Sequence, residues 1–185
     1  MNHKKKKRRY EVILAGSGGQ GLVVAGILLA EAAMLEKKNV VQTASYGIAS
    51  RGGFSMAEVI VDDSEILFQQ VLQADVALVL TQEAMEKIHG VVTPATQLFY
   101  DADLVTAEKG KGRYGFPFTQ KARELGNSGV ANIIALGVIS MHTGMVRIES
   151  LARVIQERYK GQIRELNGKA LREGMNLDAG GSFAE

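Results

Sequence analysis

A Rossmann-like α/β fold, a doubly wound and mostly parallel sheet in a single domain, is what three features of this sequence predict. Apolar stretches of strand length alternate with stretches of helical periodicity along most of the chain, the pitch at which strand and helix build such a sheet. The first strand hands over to the first helix through Gly16-Ser17-Gly18-Gly19-Gln20-Gly21, which has the G-x-G-x-x-G spacing of a tight turn at a helix N-terminus. With 185 residues, 46% hydrophobic and 23% charged, the chain can bury one substantial core without staples.

The elements follow in order. Tyr10 to Gly16 reads as a buried strand and Gln20 to Lys37 as a helix dense in Ala, Leu and Val. Val40 to Ala44 is a second strand, so residues 10–45 are expected to form a βαβ unit with a parallel crossover. Phe54 to Asp62 alternates, with Phe54, Met56, Glu58, Ile60 and Asp62 on one face and Ser55, Ala57, Val59 and Val61 on the other. Phe68 to Gln73 predicts a short amphipathic helix, Asp75 to Leu80 a buried parallel strand, and Gln82 to His89 a helix capped by Thr81. Gln97 to Tyr100 is a further strand. Glu108 to Pro117, with three glycines and a proline, reads as a mobile loop. Phe118 to Leu125 is helical, and the run from Gly129 to Met141 is apolar nearly all round, as in a buried or interface helix with Asn132 its one amide. Polar-faced helices follow at Glu149 to Tyr159 and Gln162 to Arg172. The domain boundaries are 1–9 for a basic arm, 10–175 for the α/β domain and 176–185 for a flexible tail.

The formal charge of +2 conceals an acidic body. Lys4 to Arg9 supply six of 22 basic residues, leaving 16 against 20 acids, a net of −4. That run suits either an anionic contact or a solvated arm; it lacks the interleaved aromatics of a nucleic-acid platform, and no apolar segment reaches membrane-spanning length. No nucleic-acid or membrane partner is expected, and a cytoplasmic location is. The chain has no cysteine, which removes disulfides, thiolate zinc sites and cysteine-ligated iron–sulfur clusters from it. His3, His89 and His142 lack metal-ligand spacing, no G-x-S-x-G elbow occurs, and Leu22 stands where a P-loop lysine would follow Gly21. The chain therefore reads as a part that completes or scaffolds a site, with no catalytic residue and no metal ligand of its own.

Two glycine-rich loops carry the candidate contacts. Gly16, Ser17, Gly18, Gly19, Gln20 and Gly21 offer backbone N–H groups at a helix start, with positive φ open to the glycines, so that Gly18→Val is expected to disrupt the loop; a phosphate site and a structural or subunit-contact turn both fit. A nicotinamide binder wants an acid at the end of the second strand, where Thr43, Ala44 and Ser45 stand; Glu36 has about the right separation but falls in the helix. Ser45-Tyr46-Gly47 followed by Arg51-Gly52-Gly53 forms the second loop, and its guanidinium suits a phosphate, a carboxylate or a partner's acid, or an internal ion pair across a hairpin-like turn. Asn132 fits a ligand contact or an internal hydrogen bond.

Taken together, Gly16-Ser-Gly-Gly-Gln-Gly21, Ser45-Tyr-Gly47 with Arg51-Gly-Gly53, and Asn132-Ile-Ile-Ala-Leu-Gly137 resemble the gamma subunit of 2-oxoacid:ferredoxin (acceptor) oxidoreductases. The resemblance runs from about Tyr10 to Gly174, with Asn167, Ala170 and Gly174 fitting its closing pattern. It implies a complex that decarboxylates a 2-oxoacid on thiamine diphosphate with Mg, passes electrons through iron–sulfur clusters to ferredoxin, and forms an acyl-CoA, with 2-oxoglutarate favoured over pyruvate or a branched-chain acid. Thiamine diphosphate, clusters and coenzyme A then belong to the alpha and beta companions, with a delta companion left open, or to interfaces with them, and the isolated chain is inactive and open to homodimer formation. The glycine loops become interface or cofactor-side contacts. A stand-alone nucleotide-binding oxidoreductase is the alternative. Two departures are the Lys4 to Arg9 arm and Ile48-Ala49-Ser50, which stands where the family pattern has Pro-Glu-Xaa.

Overall fold

The computed structural model describes residues 9–46, 53–108 and 110–180; of these, the side chains of Tyr46 and of 178–180 are left aside. Gly47, Arg51 and Gly52, the Ile48 to Ser50 departure and residues 1–8 of the basic arm lie outside the described residues. Six strands form one sheet: β1 (Arg9–Ser17), β2 (Asn39–Tyr46), β3 (Phe54–Asp62), β4 (Val76–Val79), β5 (Gln97–Asp101) and β6 (Arg113–Phe116). The helices are α1 (Leu22–Leu35), α2 (Gln82–Lys87), α3 (Phe118–Glu124), α4 (Ala131–Thr143), α5 (Ile148–Arg158) and α6 (Gly161–Gly180), with a 3-10 turn at Ser128–Val130 before α4.

The strand order is β2-β3-β1-β4-β5-β6, and β3 alone runs against the rest. The expected pairing of β1 with β2 in a βαβ unit is thus corrected: β3 lies between them, antiparallel to both. The connection 47–53 explains this, since a parallel crossover needs about a dozen residues or more and a hairpin does not. The α1 crossover therefore skips one strand position.

β1 and β4 are buried on both faces, hence their continuous apolar runs, and β5 buries Leu98 and Phe99 on opposite faces. Val12, Leu14, Val76, Leu78 and Phe99 point into the larger core with α1, α3, α4, α5 and α6. Ile13, Ala15, Ala77, Val79 and Leu98 point into a smaller core covered by α2 and the connections around it. The alternation of β3 holds, with Ala57, Val59 and Val61 in the first core and Ile60 in the second.

α4 is buried from Ala131 to Ser140, as its unbroken apolar pattern requires. It crosses α6 at two glycines: a Cβ on Gly137 would lie 2.7 Å from the Leu171 carbonyl oxygen, and one on Gly174 would overlap the Ile134 carbonyl oxygen.

Three further expectations change. Residues 68–73 are not helical; Leu72 N–H donates to Glu11 Oε2 at 3.3 Å and Phe68 C=O accepts from Arg9, so this short segment satisfies its backbone on β1 without paying for helix nucleation. The 108–117 loop contains β6, whose Arg113 guanidinium donates to the Thr96 and Thr93 carbonyls. α6 runs through its internal glycines to Gly180, past the expected end at Arg172, because Gly174 sits in the crossing with α4. No helix among the described residues is long and apolar enough to cross a membrane.

Candidate functional site

The carboxyl ends of β1, β2 and β4 share one sheet edge, and four segments meet there: the loop 16–21, the start of β3, the turn from β4 into α2, and the N-terminus of α4. In open α/β sheets this is the edge at which ligands and partners are received.

Within the first loop, the Gln20 side chain folds back over its own turn. Ser17 N–H donates to Gln20 Oε1 at 2.7 Å, Gln20 N–H to the Ser17 carbonyl at 3.2 Å, and Gln20 Nε2 to the Leu80 carbonyl at 3.4 Å. Gly16 has no room for a Cβ because Gln20 Oε1 and Leu80 Cβ fill the space. Positive φ occurs at Gly19 (94°) and Gly21 (69°) and not at Gly18, which corrects the reason given for the Gly18→Val effect. Gly18 serves instead as a donor: its N–H reaches the Gly53 carbonyl at 2.7 Å.

That bond joins the two glycine loops. β1 and β3 place Ser17 opposite Phe54, so the hairpin returning through Gly53 lands beside the phosphate-loop position. From the other side, Asn132 Nδ2 donates to the Gly21 carbonyl at 2.8 Å, and Asn132 Oδ1 accepts from Ile133 N–H at 2.8 Å. Asn132 is buried and its amide is engaged within the chain. It ties the starts of α1 and α4, whose dipoles both bring positive ends to this edge. Lys87 lies 4.9 Å above the Phe54 ring and pairs with Glu83 at 2.7 Å, adding a cation on the α2 side.

The arrangement is a poor cradle for a dinucleotide. The N–H groups of Ser17, Gly18 and Gln20 are spent on protein acceptors, and the Gln20 amide fills the hollow a pyrophosphate would enter. The end of β2 carries exposed Thr43, Ala44 and Ser45, with Thr43 Oγ1 donating to Glu58. Glu36 lies at the far end of α1. Burial there raises its pKa, but hydrogen bonds from Arg147 N–H (2.6 Å), the Ser150 hydroxyl and Lys38 outweigh this and hold the carboxyl below the usual range. Glu36 thus fastens the α5 N-terminus and is no ribose acid. Among the described residues no group of three His, Cys, Asp or Glu is placed to hold a metal.

The family described as pyruvate ferredoxin/flavodoxin oxidoreductase matches residues 11–177 of the chain. The chain belongs to this family.

Its relatives are subunits of 2-oxoacid oxidoreductases. It is 43% identical over 171 residues to 2-oxoglutarate synthase subunit KorC of Archaeoglobus fulgidus, covering 92% of this chain and 88% of that one. It is 31% identical over 173 residues to the pyruvate/ketoisovalerate oxidoreductases common subunit gamma of Pyrococcus furiosus, covering 88% and 94%. The keto/oxoacid ferredoxin oxidoreductase gamma subunit of Geobacter sulfurreducens superposes with a TM-score of 0.81 at 36% identity, over 93% of this chain and 99% of that chain. The same fold occurs in a 2-oxoglutarate:ferredoxin oxidoreductase of Magnetococcus marinus, with a TM-score of 0.84 at 23% identity, where it makes up 32% of a longer chain.

Within this family member, the residues that carried the resemblance meet in space. Gly16, Gly18, Gly21, Gly53 and Asn132 form the stitched edge; Gly137 and Gly174 form the α4–α6 crossing, with Asn167 and Ala170 buried on α6. Sequence reasoning missed Leu80 as the acceptor for Gln20 and Phe54 as the platform under Lys87. Neither carries a sequence signal, because each contact spans at least 30 residues and exists only through strand register.

Proposed function

We propose that the chain is the gamma subunit of a thiamine-diphosphate-dependent 2-oxoacid:ferredoxin oxidoreductase acting on 2-oxoglutarate, in complex with alpha, beta and delta companions. Thiamine diphosphate, Mg and iron–sulfur clusters then reside on those companions, and coenzyme A is bound there or at their interface with this chain. The chain's own part is to present the stitched edge, Gly16 to Gly21 with Tyr46 to Gly53, to its companions. The observation that carries this reading is the Gly18 N–H to Gly53 C=O bond: it holds Gly53 beside the first glycine loop, whose Ser17, Gly18 and Gln20 N–H groups are engaged within the chain, which suits close approach by a partner's backbone better than capture of a free nucleotide. The preference for 2-oxoglutarate rests on the relatives named as 2-oxoglutarate synthase subunits, which share more residues with this chain than those named for pyruvate and ketoisovalerate.

The test is anaerobic recovery of the tagged full-length chain at native expression, with assays for stoichiometric partners, thiamine diphosphate, iron and CoA-dependent oxidation of 2-oxoglutarate, pyruvate and 2-oxoisovalerate. Partners carrying thiamine diphosphate and iron, with 2-oxoglutarate the best substrate, are expected. Recovery of the chain alone refutes the assembly, and pyruvate as best substrate refutes the oxoacid. Arg51→Ala is expected to lower partner recovery or turnover with an unchanged melting temperature.

A further inference from the structure

α1 is apolar on every side but for Glu31, yet the described residues cover one flank of it only in part. At about 100° per residue, Val23, Val24, Ile27, Glu31, Met34 and Leu35 fall on one arc of roughly 120°. These are the residues of α1 that remain half-buried or exposed, Met34 at 64% and Leu35 at 38%. Gly26, on the sheet-facing side, sits against Ala57, Val59 and the Gln42 side chain, and the flank away from β2 is closed by α4 and α5. The open arc therefore looks outward past β2, the edge strand. A helix of this composition is a buried helix, and only a partner completes its burial.

The strand beside it is equally unguarded. β2 is eight residues, roughly 27 Å, pairs on one side only among the described residues, and contains no charge and no proline. The opposite edge, β6, has four residues including Arg113 and Gly115. Proteins blunt open edges with charges, prolines or short strands, as β6 does; β2 carries none of these devices.

We propose that β2 and the outer flank of α1 form a two-fold interface with a second copy of this chain. Antiparallel pairing of β2 with itself across its open edge requires a two-fold axis perpendicular to the sheet. That operation keeps both α1 helices on the same face and brings their apolar flanks together, so one symmetry element covers both unpartnered features. Pairing about the strand centre sets Thr43 against Thr43 and Gln42 against Ala44, with no like charges opposed. Glu31, the one acid on the flank, is already paired with Arg158 at 2.9 Å.

The test is sedimentation of the full-length chain over a concentration series, beside Met34→Lys and Ala44→Lys, both exposed positions, with circular dichroism as the check on folding. The 20.0 kDa chain is expected at twice that mass, each substitution weakening the dimer about tenfold or more and the pair together giving a folded monomer. Because the chain lacks cysteine, Thr43→Cys gives a second reading: a short bismaleimide is expected to link two copies through it, and not through Ile163→Cys on α6. A wild-type monomer overturns the proposal, as does a dimer unaffected by both lysines or a linkage at Ile163→Cys but not Thr43→Cys. A chain that is monomeric alone, with Met34→Lys abolishing recovery of companion subunits, assigns the surface to them and also overturns it.

Discussion

Gly174→Ala tests the packing that joins α4 to α6. In a helix interior this exchange ordinarily stabilises by about 0.8–1 kcal/mol. Here the added methyl overlaps the Ile134 carbonyl oxygen and lies 3.0 Å from Gly137 Cα, both parts of a neighbouring backbone that cannot swing aside as a side chain does. Overpacking of this kind costs about 1–3 kcal/mol and occasionally more, and the backbone obstacle puts this site at the upper end, so the net is a loss of about 2 kcal/mol. At about 2–4 °C per kcal/mol for a chain of this size, the melting temperature falls by about 4–8 °C. Gly168→Ala, on the same helix, is the control. Its methyl would meet only the flexible Arg172 side chain, at 3.6 Å, so it is expected to gain up to about 1 kcal/mol. Thermal melts of both variants decide the matter: an unchanged or higher melting point for Gly174→Ala, or equal losses for the two, refutes the close crossing.

Two further outcomes concern the stitched edge and its far end. Gly21→Ala forces a left-handed φ on alanine and sets its Cβ 2.5 Å from Asn132 Nδ2, and Asn132→Ala leaves the Gly21 carbonyl without its donor; urea melts are expected to show about 1–2 kcal/mol lost for each, and less than the sum for the double variant. Glu36, with its folded pKa held below the unfolded value of about 4.3, contributes stability that is full above that value and is lost as pH falls through the folded one. The melting-temperature gap between wild type and Glu36→Gln is thus expected to be widest near neutrality and to close in acid, and a gap independent of pH counts against the network with Lys38, Arg147 and Ser150.

Several parts of the molecule were legible in the residues. The apolar runs of β1 and β4, the capping of α2 by Thr81, whose side chain accepts from Ala84 N–H, and the burial of α4 follow from local pattern and appear as read. The gamma-subunit resemblance rested on three short motifs, and the family match bears it out. The segment 68–73 misled because its apolar spacing suited a helix, while hydrogen bonds to Arg9 and Glu11 nearly 60 residues earlier settled its backbone. β6 was hidden in glycine-rich sequence because its pairing with β5 supplies what local propensity lacks.

Sequence by itself determined most of the strands and helices, 68–73 and β6 apart, which residues are apolar enough to be interior, and where chain reversals need glycine, since these depend on neighbours a few residues away. Tertiary structure alone decided that β3 lies between β1 and β2, that Gln20 fills its own loop, that Asn132 reaches Gly21, and that Gly137 meets Gly174. The physical reason is shared: strand register and helix crossing bring together groups distant in the chain, Asn132 and Gly21 being 111 residues apart, and the energy of such contacts is set by fractions of an ångström that no local pattern encodes.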